Sequence, residues 1–376
     1  MKLKRIFSAA LALVSIMTGT CALADSGLNA RVTSIQCDGG TVGRCVTPSD
    51  FTVNSTVSYC GNGQSLSYPM ELFVDTYSSD GRTMFSYCSA RDYIQIVESS
   101  LDGASIAQHQ DGVYDSTTMT PMLQLMTADG YADYVIKTLY PDARIIIAYN
   151  EEITDDMQAQ LDAATKSIYD QNSALIAHDS SMSVDGAYVG VAERGYTFEL
   201  NGEPYWATVT TEVQAVQVTQ AAYVGFGTAK STFISWTVPA TYVMVTPQSE
   251  QEARAAQFNM FVLNTAASSE FNSKCTDLSN QIRTSVLNSR SLSDAGDYCR
   301  SSVSGLTDSA NSYDSTERMS DYILSQDDYA LPDGKHIKIP TSYGYVYYDG
   351  NGNGNVYATD SALDVPAGMD QLEKSH

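Results

Sequence analysis

The chain has 376 residues, 43% of them hydrophobic, and carries 44 acidic against 21 basic side chains for a formal charge of −23. The apolar content argues against disorder, and the charge argues against nucleic acid or an anionic membrane surface as partner, because both require a face that neutralises phosphate. The length suggests two or three domains, and acidity alone names no ligand.

At the amino terminus, Lys2, Lys4 and Arg5 precede an apolar run over residues 6–17, and Ala22-Leu23-Ala24 stands before Asp25. This is the pattern of a signal peptide cleaved after Ala24, with a secreted or periplasmic product. The run is well short of the ~20 residues that a spanning helix needs, so no membrane attachment is expected after cleavage. Cys21 raises lipid anchoring as an alternative, but Thr18-Gly19-Thr20 lacks the aliphatic and small residues that such processing reads.

Six cysteines remain: Cys37, Cys45, Cys60, Cys88, Cys275 and Cys299. An even number in an exported chain predicts disulfides, with two bridges among the first four and one joining Cys275 to Cys299 as the economical pairing. Zinc is the competing use, disfavoured because there is no Cys-x-x-Cys pair. Residues 25–118 are expected to form a Cys-rich, loop-rich domain or cap supported by these bridges.

Residues 119–248 are expected to form an α+β domain. Thr120-Pro121 opens a helical pattern through Tyr131, Val135, Ile136 and Leu139, and residues 143–149 are a β-branched strand. Thr154 caps a second helix, with Asp155 and Asp156 in its first turn and Met157, Leu161, Ala164 and Ile168 along one face. Residues 183–245 follow as an antiparallel meander, turning at Asn201-Gly202 and Gly225-Phe226-Gly227 and interrupted at Pro239. Residues 249–328 carry helical patterns: one entered through a Ser249/Glu252 capping box, one through Leu278 and Ile282, and one over 315–324. Residues 329–376 complete the chain as a C-terminal β-hairpin and tail. The fold class is therefore α+β: an antiparallel meander with packed helices, a disulfide-supported N-terminal segment and a C-terminal hairpin.

Motifs for chemistry are sparse. Gly-x-Ser-x-Gly, His-Glu-x-x-His, phosphate loops and Gly-x-Gly-x-x-Gly are all missing, and the consecutive His178-Asp179-Ser180 cannot assemble a triad among themselves. Acidic residues are so numerous that spacing alone selects no catalytic pair, which leaves a hydrolase built from scattered carboxylates as an alternative. Tyr343, Tyr345 and Tyr347 alternate, so an extended strand places them on one face that suits a sugar ring or a partner protein.

The stretch from Asp349 to Asp360 nearly spells a calcium loop. Asp349, Asn351, Asn353 and Asp360 fall at ligand positions 1, 3, 5 and 12, and Gly354 falls at position 6. Its flanks are β-like where an EF-hand has helices, and Asp360 replaces the bidentate Glu. A hairpin reversal explains the same residues, and calcium is the one cofactor the pattern admits. The run Ile339-Pro340-Thr341-Ser342-Tyr343-Gly344-Tyr345-Val346-Tyr347, the glycine turn and Val356-Tyr357-Ala358-Thr359-Asp360 together resemble the end of a group of uncharacterised exported bacterial proteins. The resemblance implies a hairpin and no activity; Tyr347 or Tyr348 stands where that group usually has Trp, and the turn is longer. The expectation is a non-enzymatic exported protein that binds a protein or carbohydrate, with the hydrolase and a weak calcium module as alternatives.

Overall fold

A computed structural model describes residues 27–59, 68–105, 108–115, 120–286, 299–300, 302–303, 306, 326–350, 354–361 and 365–375. In chain order the elements begin with β1 (Leu28–Cys37), β2 (Gly40–Pro48), β3 (Thr52–Tyr59), β4 (Met70–Tyr77), β5 (Met84–Cys88), β6 (Arg91–Leu101) and β7 (Ala104–Ser105). Then come α1 (Ala128–Leu139), β8 (Ile146–Asn150), α2 (Asp155–Ile176), β9 (Met182–Leu200), β10 (Glu203–Tyr223), β11 (Thr228–Val238) and β12 (Thr241–Pro247). The last are α3 (Gln251–Asn264), β13 (Ala266–Ala267), α4 (Ser269–Val286), β14 (Gln326–Ala330), β15 (His336–Pro340), β16 (Tyr345–Tyr348), β17 (Asn355–Thr359) and β18 (Asp370–Gln371).

Among the described residues the architecture is mostly β, 49% strand against 23% helix in three antiparallel sheets, which corrects the expected α+β class. The difference arises in the N-terminal segment, which is strand where loops are expected. In β1, Leu28, Ala30 and Val32 point inward, with more exposed residues between them, so a period of two is present although Ser and Thr dilute it. Two of the sheets draw on that segment. One runs β13-β2-β1-β17-β16-β18 and pairs Leu28 with Ala358. The larger has the main order β3-β4-β5-β12-β10-β11-β6-β7, with β9 and then β8 added beside β10.

β10 organises the larger sheet. One edge pairs with β9 along almost its whole length; the other pairs with β12 through residues 205–211 and with β11 through residues 214–223. The break falls at Pro239, which has no N–H to give to a ladder, and β5 and β6 part at the same level. At Asn201-Gly202 the backbone takes φ of 52° and 82°, the left-handed pair of a two-residue hairpin.

Both faces of this sheet are covered. Ala207, Val209, Val213 and Ala215 of β10 pack beneath Ala128, Tyr131, Ala132 and Ile136 of α1. On the opposite face Val216 and Val218 meet Met157, Leu161 and Ile168 of α2, capped by Thr154, whose Oγ1 accepts from the Met157 N–H at 3.3 Å. α1 begins later than expected, at Ala128 after the Thr127 cap, because the residues before it bond to β6: the Leu123 N–H donates to the Ile94 carbonyl. α3 is entered through a short 3-10 turn without a side-chain cap, and it stands between two cores. Its Phe258 and Phe261 join Phe51 and Phe85, while Met260 joins Val32, Val346 and Val356 of the smaller sheet. The helix expected over 315–324 lies outside the described residues.

The disulfide-supported segment is also corrected: no disulfide joins any two of the described cysteines, Cys37, Cys45, Cys88, Cys275 and Cys299. Cys60 lies outside the described residues. No two of the described cysteines face each other on a ladder, since Cys37 opposes Gly40, Cys45 opposes Thr33, and Cys88 sits between Phe73 and Thr241. Cys37, Cys45, Cys275 and Cys299 are buried among apolar side chains, where a thiol behaves as a small hydrophobe.

Candidate functional site

Two places stand out. The first is the far end of β10 and β11, where the ladder closes with Tyr223 opposite Thr228. The Val224 N–H donates to the Gly227 carbonyl at 2.9 Å, and the Tyr223 hydroxyl donates to the Gly225 carbonyl at 2.9 Å. Asp102 on the neighbouring hairpin accepts from the Thr228 N–H at 2.7 Å, and its carboxylate lies so close to Gly227 that a Cβ there would meet it at 2.4 Å. The turn is therefore held by its own hydrogen bonds and by the adjacent strand. It nevertheless presents Tyr223 and Phe226 to solvent at 74% and 78% exposure, with Val224 between them. A turn normally carries Gly, Asn, Asp or Ser, so two bared aromatic rings at its tip are unusual for a surface that only meets water.

The second is a polar stripe inside the sheet. Thr208, Thr210, Glu212 and Gln214 occupy successive same-face positions of β10, and all are buried. Glu212 is 0% exposed; its Oε1 accepts from Gln214 Nε2 at 2.5 Å, and its Oε2 has no hydrogen-bond partner. Burial pushes its carboxyl up to about 8. On β9, Glu193 stands opposite Thr210 and is likewise pushed up to about 8, first by burial and then by the charge of Glu151. Glu151 is itself raised by burial and by Glu152, and its N–H donates to the Glu193 carbonyl. Raised carboxyls are what acid–base chemistry uses, but Glu212, without solvent contact, offers no substrate a path to it, whereas Glu193 and Glu151 are half-buried.

Searches against protein-family models, curated proteins and solved structures find no match to this chain. The functional reading therefore rests on geometry alone.

The sequence-selected residues are placed as follows. Tyr345 and Tyr347 share a face of β16, but Tyr347 and Tyr343 are buried and Tyr345 is half-buried, so no open aromatic row forms. Asp349 and Gly354 flank the turn of the β16–β17 hairpin. Asp349 Oδ2 accepts from Asn355 Nδ2 at 2.7 Å, and its Oδ1 folds over Gly354. Asn351 and Asn353 lie outside the described residues. Asp360 sits at the opposite end of β17, about 17 Å along an extended chain from Asn355, so it and Asp349 do not converge on one ion. Among the described residues no group of three His, Cys, Asp or Glu side chains could hold a metal. His178 is exposed after α2.

One constellation that the sequence did not suggest is Ser375, His336 and Asp328. Ser375 Oγ lies 3.2 Å and Asp328 Oδ2 2.5 Å from the same ring nitrogen, His336 Nδ1. A catalytic base must bond its orienting acid through one nitrogen and its nucleophile through the other, so this is a structural cluster. Sequence reasoning also missed the aromatic tip and Glu212. The first was signalled by Phe226 between two glycines, and the second by an acid inside a β-branched run.

Proposed function

We propose that this is an exported, non-enzymatic binding protein that engages a protein or carbohydrate partner through the apolar tip at residues 223–226. The observation that carries the reading is the pairing of high exposure with a fixed backbone at Tyr223 and Phe226. A bound aromatic anchor gains most when its loop is already ordered, because little conformational entropy is then lost on association. The hydrolase alternative has less support, since Glu212, which is fully shut from solvent, is held by Gln214 rather than aimed at a cleft. A calcium module has less still, because Asp349 and Asp360 are held apart by β17.

The test is a photo-crosslinking residue at position 226, compared with one at position 169, where exposed Tyr169 lies on α2. In the native exported fraction a discrete adduct is expected from 226 only, and lost on adding Tyr223→Ser; a glycan array read with the same variants covers carbohydrate. Equal labelling from both positions, together with glycan binding indifferent to Tyr223→Ser, would refute the tip.

A further inference from the structure

We propose that β8 is a self-association edge, pairing antiparallel with β8 of a second copy of this chain about a two-fold axis at Ala148. β8 is added to the larger sheet through β9 alone, with pairs Ile146–Thr197 and Asn150–Arg194, and no described strand pairs with its other side. All five of its residues are exposed, including Ile146 at 53% and Ile147 at 49%, with Tyr149 beside them. Sheet edges that remain single are normally guarded by a lysine, a proline, a bulge or a covering segment. This one carries no charge between Ile145 and Asn150. Its only irregularity is a register shift between Ile147 and Tyr149 on the β9 side.

The charges that do occur bracket the strand, and their order selects the partner. Arg144 precedes the apolar run and Glu151-Glu152 follows it. Arg144 and Glu152 are exposed, and neither has an ion-pair partner among the described residues. An antiparallel pair centred on Ala148 sets Arg144 of each copy against Glu152 of the other, Ile147 against Tyr149, and Ile146 against Asn150. Opposite charges and aromatic–aliphatic pairs directly across a ladder are the favourable combinations, whereas a parallel arrangement would stack Arg144 on Arg144. The contact is isologous, so it closes as a dimer instead of growing into a fibre. A five-residue edge is small beside the roughly 1,200 Å² at which stable interfaces begin, so association is expected at micromolar chain concentrations and above.

Sedimentation velocity of the purified chain across a concentration series tests this. The wild type is expected to shift from monomer to dimer, Ile147→Lys to remain monomeric with an unchanged melting temperature, and Arg144→Glu to weaken association at least tenfold. Glu152→Arg added to Arg144→Glu should restore it, and Ala148→Cys should oxidise to a covalent dimer at concentrations where the wild type associates. A wild type that stays monomeric throughout, or dimerisation equal in Ile147→Lys, would overturn the edge. Failure of the charge swap to restore association would overturn the register.

Discussion

Replacing Glu212 by Gln should stabilise the protein, and the gain should grow with pH. The folded chain holds the Glu212 proton up to about pH 8 against an ordinary value of 4.5. Between those values the folded state binds more protons than the unfolded one, so each rise in pH removes stability. The penalty is absent below pH 4.5, grows by about 1.4 kcal/mol per unit, and levels off above pH 8. Gln copies the protonated acid: its oxygen still accepts from Gln214, and its amide takes the place of the Oε2 hydroxyl, which has no partner either. The expected gain is therefore about 1 kcal/mol at pH 5.5, about 3 kcal/mol at pH 7 and about 5 kcal/mol at pH 8.5. Urea titrations followed by tryptophan fluorescence would measure it, since fully buried Trp236 reports on this sheet. A Glu212→Gln difference that is the same at pH 5.5 and pH 8.5 would refute the argument, because only a titrating group in this window produces the slope.

Three further outcomes follow from the packing. Trp236→Ala should cost about 3–5 kcal/mol in urea titrations followed by far-ultraviolet circular dichroism, because it empties the α1 side of the sheet and leaves the Leu123 carbonyl without its donor at 3.0 Å. Cys45 should react with a maleimide only after unfolding, since it is fully buried and burial pushes its thiol up to about 12; mass mapping of the labelled native chain checks this. Millimolar calcium should leave the melting temperature of the wild type and of Asp360→Ala alike unchanged in differential scanning fluorimetry.

Some of this architecture is written locally and some is not. The β9–β10 hairpin is legible because Asn201-Gly202 supplies positive φ at both turn positions, and α2 is legible because Thr154 and two acids mark its start. Asp38-Gly39 and Asp102-Gly103 carry the same turn chemistry, with φ of 46° and 83° and of 49° and 83°, so the strands on either side of them were open to the same reasoning. The pairing of Leu28 with Ala358 was not, because its partner lies at the other end of the chain and no local pattern encodes a contact across that separation. The cysteines misled for a related reason. An even number in an exported chain is a statement about compartment, whereas bonding depends on which residues a ladder sets face to face.

The two sites share one cause that no single strand displays. Along β10 the alternation of Val209, Thr210, Thr211, Glu212 and Val213 looks like a sheet with one wet side. Helices from distant parts of the sequence cover both sides: α1 lies over one, and α2 with α3 lies over the other. The polar set is thereby buried, and Glu212 has to hold its proton. The coverage ends before β10 does. α2 reaches Val216 and Val218, the strand continues to Tyr223, and the aromatic residues at its end emerge beyond the helix that would have hidden them. A strand of 21 residues is longer than the helices packed on it can shield, so the same extension that traps an acid in its middle bares a ring at its tip.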